Sequence, residues 1–203
     1  MESKKLSWRN ITLKQYEKSY FDFVYSCYQN YESRFLFTND FIIISKDEFW
    51  NYLHKNIDCN FHDFMIIIDN VYNLPIGFIY TYNYDKQNDH IYFSIYLNEK
   101  SRKGINVAIT GFIFFDYLFK YYPIRKIYCS IFDYNTISKN VLKNAGFKLE
   151  GTLKDYRYYN RKYHDMSIYS LFRKNFLFLF SYFSNIFLNI FFLNSKSNLL
   201  FSI

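Results

Sequence analysis

At 203 residues the chain is long enough for one domain with a substantial core and too short for two full ones. Half of it is apolar and a quarter aromatic, with Phe, Tyr, Ile, Asn and Lys dominant, so single aromatics are not by themselves binding platforms. The formal charge of +7 favours anionic partners, for which a phosphate-bearing cofactor suffices; no nucleic-acid-binding signature is present. Cys27, Cys59 and Cys129 are odd in number and widely spaced, against a disulfide framework or a zinc site, and no metal is expected. The polar start Met1-Glu2-Ser3-Lys4-Lys5 lacks the apolar core of a secretory signal, which points to a cytoplasmic protein.

In chain order, residues 6–11 read as a first strand, with Thr12 placed to cap a helix from 14 to about 28. Residues 33–44 match no element clearly. Ser45-x-x-Glu48 has capping-box spacing and predicts a helix from 46 to about 57. Strands at 64–69 and 76–82 flank the turn-rich segment 70–75, and a polar turn at 85–89 leads to an apolar strand at 90–97, giving three antiparallel strands in succession. Polar residues 98–104 break that run. A helix follows at 105–119, mostly buried because Asp116 is its one charge, and it crosses to a strand at 125–134. A helical crossover returns the chain in the same sense, so this strand should lie parallel to 90–97. Segments 156–159 and 163–172 read as a closing hairpin, with Asp165 paired to Arg157 or Arg161. The expectation is a mixed α/β sheet of α+β type.

After Arg173-Lys174 the character changes, dividing a domain at 1–174 from an apolar tail at 175–203. Residues 176–193 would span about 27 Å as a helix, close to the roughly 30 Å of a bilayer core. A membrane anchor, a helix lying on a membrane or packed in a homodimer, and an incidental extension are all physically allowed, the second because Ser181, Ser184, Asn185 and Asn189 form one polar stripe.

The spacing Asn135-x-x-Ser138-x-x-x-Leu142-x-x-x-Gly146-Phe147, with the turn Arg102-Lys103-Gly104 ahead of it and the segment 151–165 behind, resembles the GCN5-related N-acetyltransferases (GNAT), closest to their ribosomal-protein N-terminal and polyamine acetyltransferase branch. Resemblance runs over about residues 6–173. It implies a central, mostly antiparallel sheet with a parallel pair splayed at the acetyl-CoA site and about four flanking helices, to which this chain adds its tail. It also implies acetyl-CoA as donor and direct attack by an amine-bearing acceptor, whether a small molecule, an amino sugar or a peptide N-terminus, in a ternary complex.

By the same resemblance, the backbone of Ile95, Tyr96 and Leu97 faces the pantetheine arm and supplies an oxyanion-stabilising N–H. The pyrophosphate belongs at the helix start, on Arg102, Lys103, Gly104, Ile105, Asn106 and Val107. That loop departs from the family: side chains of Ile105, Asn106 or Val107 stand where glycines let phosphate approach the backbone. Asn135 and Ser138 line the far side of the arm, and Asn135 can also cap the helix. Relatives carry a tyrosine acid where this chain has Leu142, which leaves Ser138 as the candidate acid. Tyr92 occupies a strand position where relatives often carry a glutamate base, so Tyr92 or His90 would act through water. Gly146 permits a left-handed helix exit and Phe147 anchors the next strand. A module of the same fold that binds without catalysis is the alternative these departures leave open.

Overall fold

The computed structural model describes residues 6–30, 35, 45–102 and 105–177. Strands β1 (Leu6–Trp8) and β2 (Ile11–Gln15) form a short antiparallel hairpin. This corrects the role expected of Thr12: it lies buried inside β2, where its hydroxyl reaches Asn70 Oδ1 at 2.9 Å. Ile11, Thr12 and Leu13 are all buried, so strand pairing takes this stretch, and α1 (Phe21–Gln29) starts later than expected. Helix α2 (Lys46–Cys59) begins at the expected capping box: the Glu48 amide donates to Ser45 Oγ at 3.3 Å and the Ser45 amide to Glu48 Oε2 at 2.9 Å.

Strands β3 (Phe61–Asp69), β4 (Leu74–Asp85) and β5 (His90–Leu97) make the expected antiparallel succession. Helix α3 (Asn106–Tyr121) crosses to β6 (Lys126–Phe132), which pairs parallel to β5. Then come α4 (Thr136–Asn144), β7 (Lys148–Tyr159) and β8 (Lys162–Phe172), and the sheet order is β1-β2-β3-β4-β5-β6-β8-β7. Gly146, at φ 80, ends α4: its amide bonds to Lys143 O and that of Phe147 to Leu142 O, the two bonds of a Schellman exit.

Continuous apolar runs in β3 and β4 fit strands covered on both faces. Ile67, Ile79, Ile91 and Ile127 pack under Ile109, Phe114 and Leu118 of α3, while Phe64, Ile66, Phe78 and Tyr96 pack under Val24, Phe49 and Leu53 of α1 and α2. Each such side chain is worth roughly 1.5–3 kcal/mol in removal from water. Gly77 sits where β4 passes β5 closely, since a Cβ there would lie 2.1 Å from Tyr96 O. Buried Asp63 accepts the hydroxyls of Tyr117 at 2.9 Å and Tyr122 at 2.7 Å, tying the end of α3 to the sheet.

Arg173 closes that end as well, donating to the carbonyls of Phe119, Tyr122 and Ile124. Phe176, 4% exposed, packs against Phe112, Phe115 and Phe119, so the core runs past the boundary expected at Lys174. The tail beyond Leu177, with its expected helix, lies outside the described residues. Among the described residues no helix is long and apolar enough to cross a membrane.

Candidate active site

The site exists because β5 and β6 stop pairing. Their parallel register covers His90↔Lys126, Ile91↔Ile127 and Tyr92↔Tyr128, and from Phe93 and Cys129 onward the strands part. Beyond that vertex, β5 remains paired to β4 as far as Leu97, and β6 to β8 as far as Phe132, so each open half is held straight by its outer neighbour. A cleft of about 770 Å³ passes through the gap, from α3 and α4 on one face of the sheet to α2 on the other.

Most of the residues expected at the site converge on this cleft. Tyr92, Ile95, Tyr96 and Leu97 line it from β5, Arg102 and Val107 from the approach to α3, and Asn135 and Ser138 from the start of α4. Asn135 is the N-cap of α4, its Oδ1 accepting the Ser138 amide at 3.2 Å, and so both lines the cleft and fixes the helix start. Among the described residues the Ser138 hydroxyl has no hydrogen-bond partner, while Leu142 is buried one turn further on.

Two expected residues sit differently. Ile105 is the exposed N-cap of α3, and the Asn106 side chain turns outward to accept from Asn10 Nδ2 at 3.2 Å, so neither side chain lines the cleft. Among the described residues no side chain caps α3, so its first amides carry the positive end of the helix dipole without a side-chain acceptor. Lys103 and Gly104 lie outside the described residues. The Ser101 amide bonds to Asn98 O and Oδ1, which turns the chain from β5 into this helix start.

Electrostatics differ on the two sides of the vertex. On the paired side, Lys126 Nζ lies 3.0 Å from both Glu150 oxygens, the Tyr128 hydroxyl is 3.2 Å from Glu150 Oε2, and Ser170 donates to Oε1 at 2.5 Å. Burial alone would raise the Glu150 carboxyl, but the bonds from Ser170, Lys126 and Tyr128 hold it below its ordinary range. On the cleft side, burial pushes the phenols of Tyr92 and Tyr82 upward, so both remain protonated donors at neutral pH. Tyr92 lines the cleft and His90 does not; the His90 ring rests edge-on against Tyr128.

Tyr82 is a site residue that sequence reasoning missed. It stands across from Tyr92 on β4, their rings 5.5 Å apart between centroids, and with Ser130 of β6 it lines the cleft on both sides of the vertex. Period-two alternation from Tyr80 puts both on one sheet face, but only the splay reveals what lies opposite. Asp165 also needs correction: it pairs with Lys154 at 2.7 Å and accepts the Asp155 amide at 3.1 Å, not Arg157 or Arg161. Arg157 is instead buried, donating to Phe35 O and the Tyr134 hydroxyl, both at 2.9 Å. His164, beside it, places Nδ1 2.6 Å from Asp133.

The fold is similar to that of solved N-acetyltransferases. Spermidine N-acetyltransferase from Vibrio cholerae, solved with CoA and spermine, is 20% identical with a TM-score of 0.74 over 83% of this chain and 98% of that one. The acetyltransferase from Salmonella typhimurium that modifies the N-terminal serine of ribosomal protein L7/L12 is 17% identical with a TM-score of 0.70, over 82% and 96%. An acetyltransferase from Bacillus anthracis is 16% identical with a TM-score of 0.70, over 86% and 99%. No curated protein sequence matches the chain. The profile of the acetyltransferase (GNAT) domain matches residues 36–168, and the chain belongs to that family. Its structural neighbours include both expected subgroups, the polyamine and the ribosomal-protein acetyltransferases.

Proposed function

We propose that the chain transfers the acetyl group of acetyl-CoA directly to a primary amine held in the cleft beside it. The observation that carries this is the end of β5–β6 pairing at Tyr92 and Tyr128, which turns an interior strand edge toward a cleft. Backbone groups of Ile95, Tyr96 and Leu97 accept the pantetheine amides as a further strand would, and an N–H there polarises the thioester carbonyl. The first amides of α3, with Arg102, Lys103, Gly104, Ile105, Asn106 and Val107, take the pyrophosphate.

The acceptor nitrogen attacks the thioester carbon, the C–S bond breaks, and the thiolate takes a proton through Ser138, whose hydroxyl is uncommitted among the described residues and regains its proton from water as it gives one up. The attacking amine loses its proton to water. A phenol with a raised pKa is a poor base, so Tyr92 contributes by orienting that water, and Tyr82 by a donated hydrogen bond at the vertex. The catalytic domain in this reading includes Phe176, and a cytoplasmic site of action follows from the donor.

Calorimetric titration of acetyl-CoA into the full chain tests the reading, with free thiol measured after adding amines. Micromolar binding, near −8 kcal/mol, together with amine-dependent thiol release is expected. A folded chain that binds no acetyl-CoA would overturn it.

A further inference from the structure

The acceptor half of the cleft has a definite character. On the α2 side of the sheet it is walled by Tyr52, Phe61, Tyr80 and Tyr82, with neighbouring rings in contact: Phe61 and Tyr80 are 4.3 Å apart between centroids, Tyr80 and Tyr82 5.9 Å, and Tyr82 and Tyr92 5.5 Å. The facing wall, from β6, β7 and β8, presents Phe132, Leu153, Met166 and Ile168. Polar side chains are fewer: Asn83, Ser94 and Ser130 line the cleft from the strands, and at the end of α2 Asn60 Nδ2 donates to Asn56 Oδ1 at 2.9 Å and Asn56 Nδ2 to Tyr52 O at 2.8 Å. Thus two largely apolar walls face each other across the space an acceptor must occupy to reach the vertex.

From these walls we infer that the acceptor is a monoamine on an apolar, preferentially aromatic body. The inference rests on the acetyl-transfer reading and deepens it. Ring and methyl surface on both sides gains from burying a similar body, and offset or edge contacts with tyrosine rings favour an aromatic one. A second ammonium carried between the same walls would lose its water against rings and methyl groups, a cost that contact with ring faces offsets only in part. A hydroxyl-rich sugar would bury several donors against the same surface.

The chemistry has two sources, a free arylalkylamine and a peptide whose first residue is aromatic. Their nitrogens differ: a peptide α-amino group has a pKa of about 7.7–8.0, against roughly 10.4 for an alkylamine, so at neutral pH far more of the former arrives unprotonated. With the Tyr82 and Tyr92 phenols serving as donors, that fraction is what can attack.

The test uses the full chain at saturating acetyl-CoA, following thiol release with 2-phenylethylamine, a phenylalanyl-glycine peptide amide, spermidine and glucosamine. At least one aromatic acceptor should exceed spermidine and glucosamine by tenfold or more in kcat/KM, and the two aromatic arms identify the source. Phe61→Ala should raise the aromatic acceptor's KM at least tenfold with acetyl-CoA affinity within twofold. Leu153→Glu, at a position 43% exposed and therefore tolerant of the change, should lower aromatic kcat/KM and raise that of spermidine. Preference for spermidine or glucosamine by a chain that binds acetyl-CoA, or unchanged aromatic kinetics in Leu153→Glu, would overturn the inference and leave acetyl transfer standing. Failure to bind acetyl-CoA would remove the transfer reading and the inference with it.

Discussion

Strands β5 and β6 behave in opposite ways along their length. Through three residue pairs they form an ordinary parallel ladder, and on that stretch side chains dominate: Lys126 and Glu150 in bidentate contact, Ser170 and Tyr128 on the same carboxylate, and Tyr92 stacked on Tyr128 at 5.0 Å. Past the vertex the ladder ends, and the strands present backbone edges and hydroxyls to a cleft. The fold therefore separates its ionic support from its reacting space by one residue step. Substitutions on the two sides should accordingly move different observables.

The largest effect should come from the strand that holds the open half of β5 straight. Gly77→Ala puts a methyl group 2.1 Å from Tyr96 O, which β4 and β5 can relieve only by moving apart. A loss of about 3 kcal/mol in urea unfolding is expected, the upper end for overpacking, together with weakened acetyl-CoA binding because the displaced segment is the cofactor edge. Stability within 0.5 kcal/mol of the unchanged chain would show that the contact is not tight.

Next in size is the paired side. Glu150→Ala strands the Lys126 ammonium, whose side chain is 8% exposed. Removing one partner of a buried pair costs about 3–5 kcal/mol; Glu150 keeps 31% of its side chain exposed, so about 2 kcal/mol is the expectation here, with acetyl-CoA affinity unchanged within twofold. The pH dependence has a definite sign. The Glu150 carboxyl is depressed in the folded chain, so its stabilisation is fully present above the unfolded value of ~4.3 and is lost as pH falls through the folded value. The variant should show a flatter acid limb below about pH 5. Loss of cofactor affinity at constant stability would contradict the separation of the two sides.

Much of this was readable in the residues. The Ser45–Glu48 box, the apolar runs of β3 to β5, the crossover to a parallel strand, and the Gly146 exit each follow from local chemistry that tertiary packing did not override. The Asn135 cap was legible for the same reason. What escaped was set by distant partners. Thr12 has a good capping hydroxyl, but Asn70, 58 residues away, claims it inside a strand. Asp165 had arginines within reach along its hairpin, yet the irregular register between Leu153 and Arg157 presents Lys154 instead. Tyr82 was silent because its significance depends on a gap between strands that no alternation pattern encodes.

On the open side the expected effects are smaller and fall on chemistry. Ser138→Ala removes the hydroxyl proposed to protonate the leaving thiolate while keeping the amide that Asn135 accepts. Turnover should fall about tenfold, equivalent to ~1.4 kcal/mol in the barrier, with the unfolding midpoint unchanged. An unaltered kcat at equal stability would take Ser138 out of the mechanism.

Asn135 separates a structural from a cofactor role most finely. Asn135→Ala deprives the Ser138 amide of its acceptor and should cost about 1 kcal/mol of stability, the usual value of an N-cap. Asn135→Asp restores the acceptor, and its charge suits a helix N-terminus, so stability should return to within a few tenths of a kcal/mol. The same carboxylate would stand on the cleft wall without the amide's donor and beside a polyanionic cofactor. If the side chain serves acetyl-CoA as well as the helix, Asn135→Asp keeps the fold and still binds the cofactor several-fold more weakly. If it serves the helix alone, affinity recovers together with stability, and the cofactor contacts of α4 narrow to Ser138 and the helix backbone.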